Sequence, residues 1–278
     1  MNRAGFSLLA LLSLWNAPVA AQRAGEPTVL LSFSGGLASG PSLWRVAQPI
    51  CVWMTVPGGY ECETGGSGTV NDTLALTRRI TTGLAAGLSL YWFASPRIGW
   101  RFDLSYQSEA ISDRCSPAVP FQPDPDQKNR QACDSFTAGQ ASLSFVSGSA
   151  SLIVRPLPTA VVSPYVRVGA GVGLESGETL AAGGAFTANG ETLTRQFIQD
   201  SSSGAVRPFG TFAIGLLCGS GPATRFGLEA GDLLVPAARV TGPADATGKA
   251  PRATRLIHNL SVTLSIAMVL NGRHARRY

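Results

Sequence analysis

Between Gly83 and Gln107 apolar and small residues alternate in two runs around a short break at Ser95-Pro96-Arg97. Before the break, Leu84, Ala86, Leu88, Leu90 and Trp92 share one parity, and Gly83, Ala85, Gly87, Ser89 and Tyr91 the other. After it, Trp100, Phe102, Leu104 and Tyr106 alternate with Arg101, Asp103, Ser105 and Gln107. A period of two belongs to a strand, whose successive side chains project to opposite faces, so this stretch predicts a hairpin with one greasy side. The other side is mostly Gly, Ala and Ser. Small residues suit a cramped interior, so the pattern predicts a narrow closed barrel with its apolar face in lipid.

The same alternation recurs along the chain and predicts eight strands. Thr28 to Ala38 places Val29, Leu31, Phe33 and Leu37 outward. Gln140 to Arg155 changes phase midway, from Leu143 and Phe145 to Val146, Gly148, Ala150, Leu152 and Val154, and a bulge near Phe145 would restore its facing. Val166, Val168, Ala170, Val172 and Leu174 define the fifth strand, Phe212, Ile214, Leu216 and Cys218 the sixth, and Phe226, Leu228 and Ala230 the seventh. The eighth carries Leu256, Leu260, Val262, Leu264, Ile266, Met268 and Leu270. The intervening stretches 40–79, 111–138, 176–205 and 235–254 read as long irregular loops, and the breaks between them are short. Long outward loops, short inner turns and an even strand count are the plan of an all-β, antiparallel up-and-down transmembrane barrel, and Trp92 and Trp100 would form part of an aromatic girdle.

Residues 1–21 read as a secretory signal: Asn2 and Arg3, an apolar core from Phe6 to Trp15, and Val19-Ala20-Ala21 before Gln22. Residues 22–278 would form the barrel domain. Hydrophobic residues make up 45% of the chain and charged ones 14%, and 32 glycines punctuate it, which favours strands joined by turns over helices. The 22 basic and 17 acidic residues are scattered, and only Lys128 and Lys249 are lysine, so no basic run suited to nucleic acid exists.

Cys51 and Cys62 fall in one long loop and Cys115 and Cys133 in the next. Pairing within each loop is the simplest connectivity in an exported chain, and Cys218 is left on the lipid-facing parity. The inner parity carries Arg101, Asp103, Arg167, Arg225 and Glu229. In a narrow bore these charges should pair and fill space, because an unpaired one is costly away from water. No metal or cofactor motif stands out, and only His258 and His274 could serve as histidine bases. Ser39, Asp232 and His258 share the outward parity near the outer ends of neighbouring strands, which raises a hydrolytic triad at the outer leaflet as an alternative. A soluble carrier with the apolar face turned inward fails, since its outside would be too poor in charge.

The leader, the eight alternating strands, the strand from Ser163 to Gly171 and the strand from Arg225 to Ala230 resemble the outer-membrane beta-barrel domain family, typified by the OmpA transmembrane domain and OmpX. The resemblance implies a bacterial outer-membrane protein folded by the outer-membrane assembly machinery and surrounded by lipids and lipopolysaccharide. The expectation is a monomeric, non-enzymatic barrel serving envelope integrity or surface interaction through disulfide-stabilised loops. An OmpW-like carrier of small apolar solutes or an outer-leaflet lipid A hydrolase is the alternative. A continuous apolar patch inside the bore would favour the carrier.

Overall fold

The structure, a computed structural model, describes residues 28–51, 53–57, 59–62, 64–65, 68–69, 71–117, 127–139, 141–177, 180–199, 206–219, 223–245 and 247–270. The expected leader and the basic tail around His274 lie outside them. In chain order the strands begin with β1 (Thr28–Ser39), β2 (Ser42–Cys51), β3 (Trp53–Val56), β4 (Gly59–Cys62), β5 (Thr64–Gly65) and β6 (Gly68–Thr69). Next come β7 (Asn71–Ile80), β8 (Gly83–Phe93), β9 (Ile98–Pro117) and the helix α1 (Lys128–Ala138). The chain continues through β10 (Ala141–Val154), β11 (Val162–Ser176), β12 (Ala182–Ala188) and β13 (Glu191–Ile198). It finishes with β14 (Val206–Gly219), β15 (Thr224–Val240) and β16 (Arg252–Val269).

Eight of these strands pair antiparallel in the order β1, β8, β9, β10, β11, β14, β15, β16. β1 and β16 close the ring in register from Leu30↔Val269 to Ser39↔Leu260. Which face looks outward is unambiguous: Leu84 is 68% and Leu104 58% exposed, whereas Ser89 is 2% and Arg101 6%. An apolar belt on the outside of a closed barrel is what lipid requires, because closure leaves no unpaired edge in hydrocarbon. On β16 the belt runs from Leu260 to Leu270, about 25 Å in height at ~3.4 Å per residue and ~40° of tilt. Trp92 and Trp100 are direct cross-strand partners beside the Ala94–Arg97 turn, both facing outward.

At one height the polarity of both faces inverts. On β9 the outward residues pass from Phe102, Leu104 and Tyr106 to Ser108, Ser112 and Arg114, and the inward ones from Arg101, Asp103 and Gln107 to Ile111. On β15 the outward run ends at Asp232 while the interior turns to Leu233 and Val235. The first polar outward residues of β9, β10 and β11 line up across the register, Ser108 pairing with Ser144 and Ser144 with Ser176. This explains a correction. The register of β10 on β9 runs unbroken from Ala141↔Ile111 to Val154↔Ile98, so the expected bulge near Phe145 is absent. Leu143 and Phe145 are buried and Val146 exposed, because the surroundings of the strand change there and its facing does not.

The stretches expected to be irregular are largely ordered. β7 follows β8 along the same edge of β9 after the Thr81-Thr82 break, from Ile80↔Ile111 to Leu74↔Pro117. β2 pairs with β7 and carries a bulge between Ser42 and Trp44 that turns both Leu43 and Trp44 inward. β9 continues past Gln107 to Pro117, β15 runs to Val240 and β16 starts at Arg252, so the connection expected over 235–254 shrinks to 241–251. The long connection after β11 contains the β12–β13 hairpin, whose Asn189 and Gly190 both have positive φ, 53° and 82°. That is the backbone of a two-residue hairpin turn, and Asn-Gly is the pair that adopts it with least strain.

These pieces fold into a cap over the outer mouth. Its core joins Leu43, Trp44, Val46, Leu74 and Leu76 from β2 and β7 to Phe136 of α1 and to Phe186, Phe197 and Ile198 of the hairpin. Ile80, Ile111 and Leu143, on top of the barrel wall, belong to the same cluster. Each large side chain buried this way stabilises the cap by ~1.5–3 kcal/mol. The helix lies so close to the hairpin that a side chain at Gly184 would collide with the Ala132 carbonyl oxygen.

Candidate functional site

The interior parity of β9, β11 and β15 delivers four charges to one level of the bore. Arg101 Nε donates to Asp103 Oδ1 at 2.6 Å and its NH1 to Glu229 Oε2 at 2.5 Å. Arg167 reaches Glu229 Oε1 at 2.8 Å and Asp103 Oδ2 at 3.4 Å. Two guanidinium groups and two carboxylates form a neutral ring, with hydroxyls completing it: Ser89 donates to Asp103 at 2.6 Å and Tyr165 to Glu229 at 2.6 Å. Arg101 also lies over the Tyr91 ring, 5.0 Å from its centre. Charges in a bore of this width persist only when paired, and here each touches at least one opposite charge, Arg167 Nε being the buried atom of the ring left without a hydrogen bond among the described residues. Arg225, expected among them, stands apart. It pairs with Ala267 on the level of the lower apolar layer and is half-buried at the inner rim.

Apolar layers seal this ring on both sides. Beneath it Tyr91, Phe93, Ile153, Tyr165 and Leu217 pack together, and Arg155 closes the inner end by donating to the Pro96 carbonyl at 2.6 Å over the Phe93 ring. Above it Phe145, Phe209, Leu233 and Val235 form a second layer, with Phe145 and Phe209 edge to face. A polar cavity of about 60 Å³ remains beside the charges, room for water but far short of the ~300 Å³ of a small-molecule site. Gln107 and Asn259 pair across the register with Phe145 and Leu233 of the upper layer, Asn259 donating to Gln107 at 3.1 Å, and Glu109 lies one inward step further along β9. Glu109 continues the parity of Arg101 and Asp103 by two further steps each, so extending that alternation past Gln107 would have located it.

A second buried pair holds the cap. Arg78 grips Asp113 with two hydrogen bonds of 2.7 Å, donates to the Ala181 carbonyl at 2.7 Å, and lies between the Trp44 and Phe136 rings. It joins β7, β9, α1 and the approach to β12. Cys115 and Cys133 form the expected disulfide, tying β9 to α1 with a Cα separation of 5.2 Å. Cys51 is disulfide-bonded, and the Cys62 side chain lies outside the described residues. Cys218 is a free thiol.

Of the three residues weighed as a triad, two meet. His258 Nδ1 lies 2.7 Å from Asp232 Oδ2 on the outer surface. Ser39 pairs with Leu260 across the β1–β16 seam and makes no hydrogen bond to His258 among the described residues. It lines a groove with Arg79 and Arg114 instead. Among the described residues no group of three metal-ligating side chains occurs.

The fold defined by these observations is a closed eight-stranded β-barrel of the transmembrane type with a filled bore and a folded cap. No protein-family model and no curated protein matches the chain. Among solved structures it is similar to Neisserial surface protein A (NspA), at 9% identity over 89% of this chain and 99% of that chain, with a TM-score of 0.40. It is also similar to the outer membrane protein AlkL in lipid bilayers, at 13% identity over 92% and 95% with a TM-score of 0.41. A third is the outer membrane protease OmpT of Escherichia coli, at 7% identity over 90% and 99% with a TM-score of 0.34.

Proposed function

We propose that this chain is a non-conducting, non-enzymatic barrel of the bacterial outer membrane that acts through its outer cap, in envelope integrity or surface interaction. The observation carrying this reading is the bore, where an ion-paired ring lies between two apolar layers beneath a hydrophobic cap. A carrier of apolar solutes needs a continuous apolar path. Among the described residues the charged ring interrupts any such path, and the apolar levels are filled by side chains. The belt would be surrounded by lipid and lipopolysaccharide, the short turns would face the periplasm, and insertion would depend on the outer-membrane assembly machinery. A belt that is apolar on every strand and closed without an edge suits a monomer.

A topology experiment tests this. In a Cys218→Ser background, Glu191→Cys next to the hairpin turn of the cap should react with a membrane-impermeant maleimide in intact cells. Ala94→Cys in the short turn should react only after lysis. Reconstituted protein should give no ion conductance above that of the bare bilayer. Labelling of both sites in intact cells, or steady channel currents, would overturn the reading.

A further inference from the structure

Just above the boundary ring, the outer face of the sheet formed by β2, β7 and β9 concentrates positive charge. Arg45, Arg79 and Arg114 project from it, all exposed, and their outward neighbours at this height are Ser, Thr, Ala and Pro. Carboxylates on the same strands, Asp72, Glu109 and Asp113, are buried on the opposite face. Thr77 pairs with Arg114 and Arg79 with Ser112, so Arg79 and Arg114 are diagonal neighbours, ~7 Å apart by strand geometry. Like charges at that spacing repel. Among the described residues neither makes an ion pair.

Between them runs a groove of about 280 Å³ whose walls include Ser39, Arg79, Thr82, Ser112 and Arg114. Its depth in the membrane is fixed by its floor. Ser39 and Thr82 are the first polar steps after Leu37 and Leu84, which are 55% and 68% exposed in the apolar belt. A group in the groove therefore sits where hydrocarbon gives way to headgroups, with apolar chains able to continue down the belt beneath it. Two guanidinium forks plus hydroxyl donors match the several oxygens of a phosphate, and an anion there would remove the repulsion between the arginines.

We propose that this groove holds the phosphate of an outer-leaflet lipid headgroup, with Arg79 and Arg114 gripping its oxygens and the Ser39, Thr82 and Ser112 hydroxyls donating to those left over. This rests on the membrane-spanning reading given above and deepens it, turning a general lipid belt into one specific lipid site.

The full chain in non-ionic detergent is titrated calorimetrically with diphosphorylated lipid A in mixed micelles, with the dephosphorylated lipid, and with inorganic phosphate. The wild type is compared with Arg79→Gln/Arg114→Gln and with Arg255→Gln, a control on another strand. The double variant should bind the phosphorylated lipid at least about tenfold more weakly, with Arg255→Gln unchanged and the dephosphorylated lipid bound weakly by all three. Equal binding of the phosphorylated lipid by wild type and double variant overturns the site. Inorganic phosphate binding as tightly as the lipid overturns the lipid assignment, since the groove would then serve a soluble anion. If the double variant melts at a lower temperature than the wild type, Arg114→Gln alone is read, with about a threefold loss expected. Insertion into vesicles, followed separately, tells the two readings apart: a chain that does not insert sinks the membrane assignment, whereas one that inserts without preferring the phosphorylated lipid sinks this groove alone.

Discussion

The belt of the barrel and the cap above it share strands such as β9, β10 and β15 and obey opposite rules. In the belt, leucine, valine and phenylalanine face out and the centre is held by Arg101, Asp103, Arg167 and Glu229. In the cap, Trp44, Leu74, Phe136 and Phe186 are buried while Arg79 and Arg114 face out. The physics is common to both. Apolar surface leaves water by whatever route exists, into lipid in one case and into a core in the other, and polar groups are buried only with partners. A strand that crosses the boundary must therefore exchange its two faces, as β9 does between Tyr106 and Ile111. The two buried Arg–carboxylate assemblies differ accordingly. The ring in the bore joins strands already fixed by barrel closure, whereas Arg78–Asp113 spans a β7–β9 ladder outside the closed ring and reaches the approach to β12, pieces held besides by the Cys115–Cys133 disulfide and the cap core.

Removing a charge from the ring should have the largest effect. Glu229→Ala leaves Arg101 and Arg167 facing each other with Asp103 as their remaining counter-ion and should destabilise the barrel by about 3–5 kcal/mol. Urea unfolding of vesicle-reconstituted protein, followed by tryptophan fluorescence, measures it. A loss under ~1 kcal/mol would mean that closure alone sets the stability of the belt and that the ring is mere filling.

Arg78→Ala should come next, costing about 3 kcal/mol because Asp113 is then buried without a partner. Its signature should be local: faster amide exchange and proteolysis in β2, α1 and the β12–β13 hairpin, with exchange in β8, β11 and β14 unchanged. If belt and cap weaken together, they form one cooperative unit and the boundary between them does not divide the stability of the molecule.

The belt was legible from sequence because lipid-facing alternation is repeated in every barrel strand and survives errors at the ends. Membership of the charged ring was legible for Arg101, Asp103, Arg167 and Glu229 from parity, but parity carries no height, so Arg225 could not be separated from them without register. The cap was harder to read. On β7, Leu74, Leu76 and Ile80 alternate well, but Arg78 falls on the same parity and its partner Asp113 is distant in the chain. On β2 the bulge at Leu43 and the proline at position 49 break the pattern. α1 buries Asn129, Ala132, Cys133 and Phe136, a true helical stripe with little apolar weight. The Asn189-Gly190 turn was a readable hairpin signal, masked by the glycines at 183 and 184. The phase change at Phe145 was visible, but a sequence does not state which solvent surrounds each height of a strand, so a bulge was the natural inference.

The smallest effect is expected at the boundary itself. His258 is 65% exposed and Asp232 21%, and a contact this open to solvent contributes at most ~0.2–1 kcal/mol. Polar residues gather at that height because every strand passes from lipid to water there, which is sufficient reason for Ser39, Asp232 and His258 to be near one another. His258→Ala should therefore shift the urea midpoint barely beyond error and leave the protein's effect on ester-linked lipid substrates the same as that of wild type. A lipid hydrolysis rate that exceeds protein-free vesicles and vanishes in His258→Ala would show that the boundary ring holds chemistry as well as position, and Ser39→Ala would then identify its nucleophile.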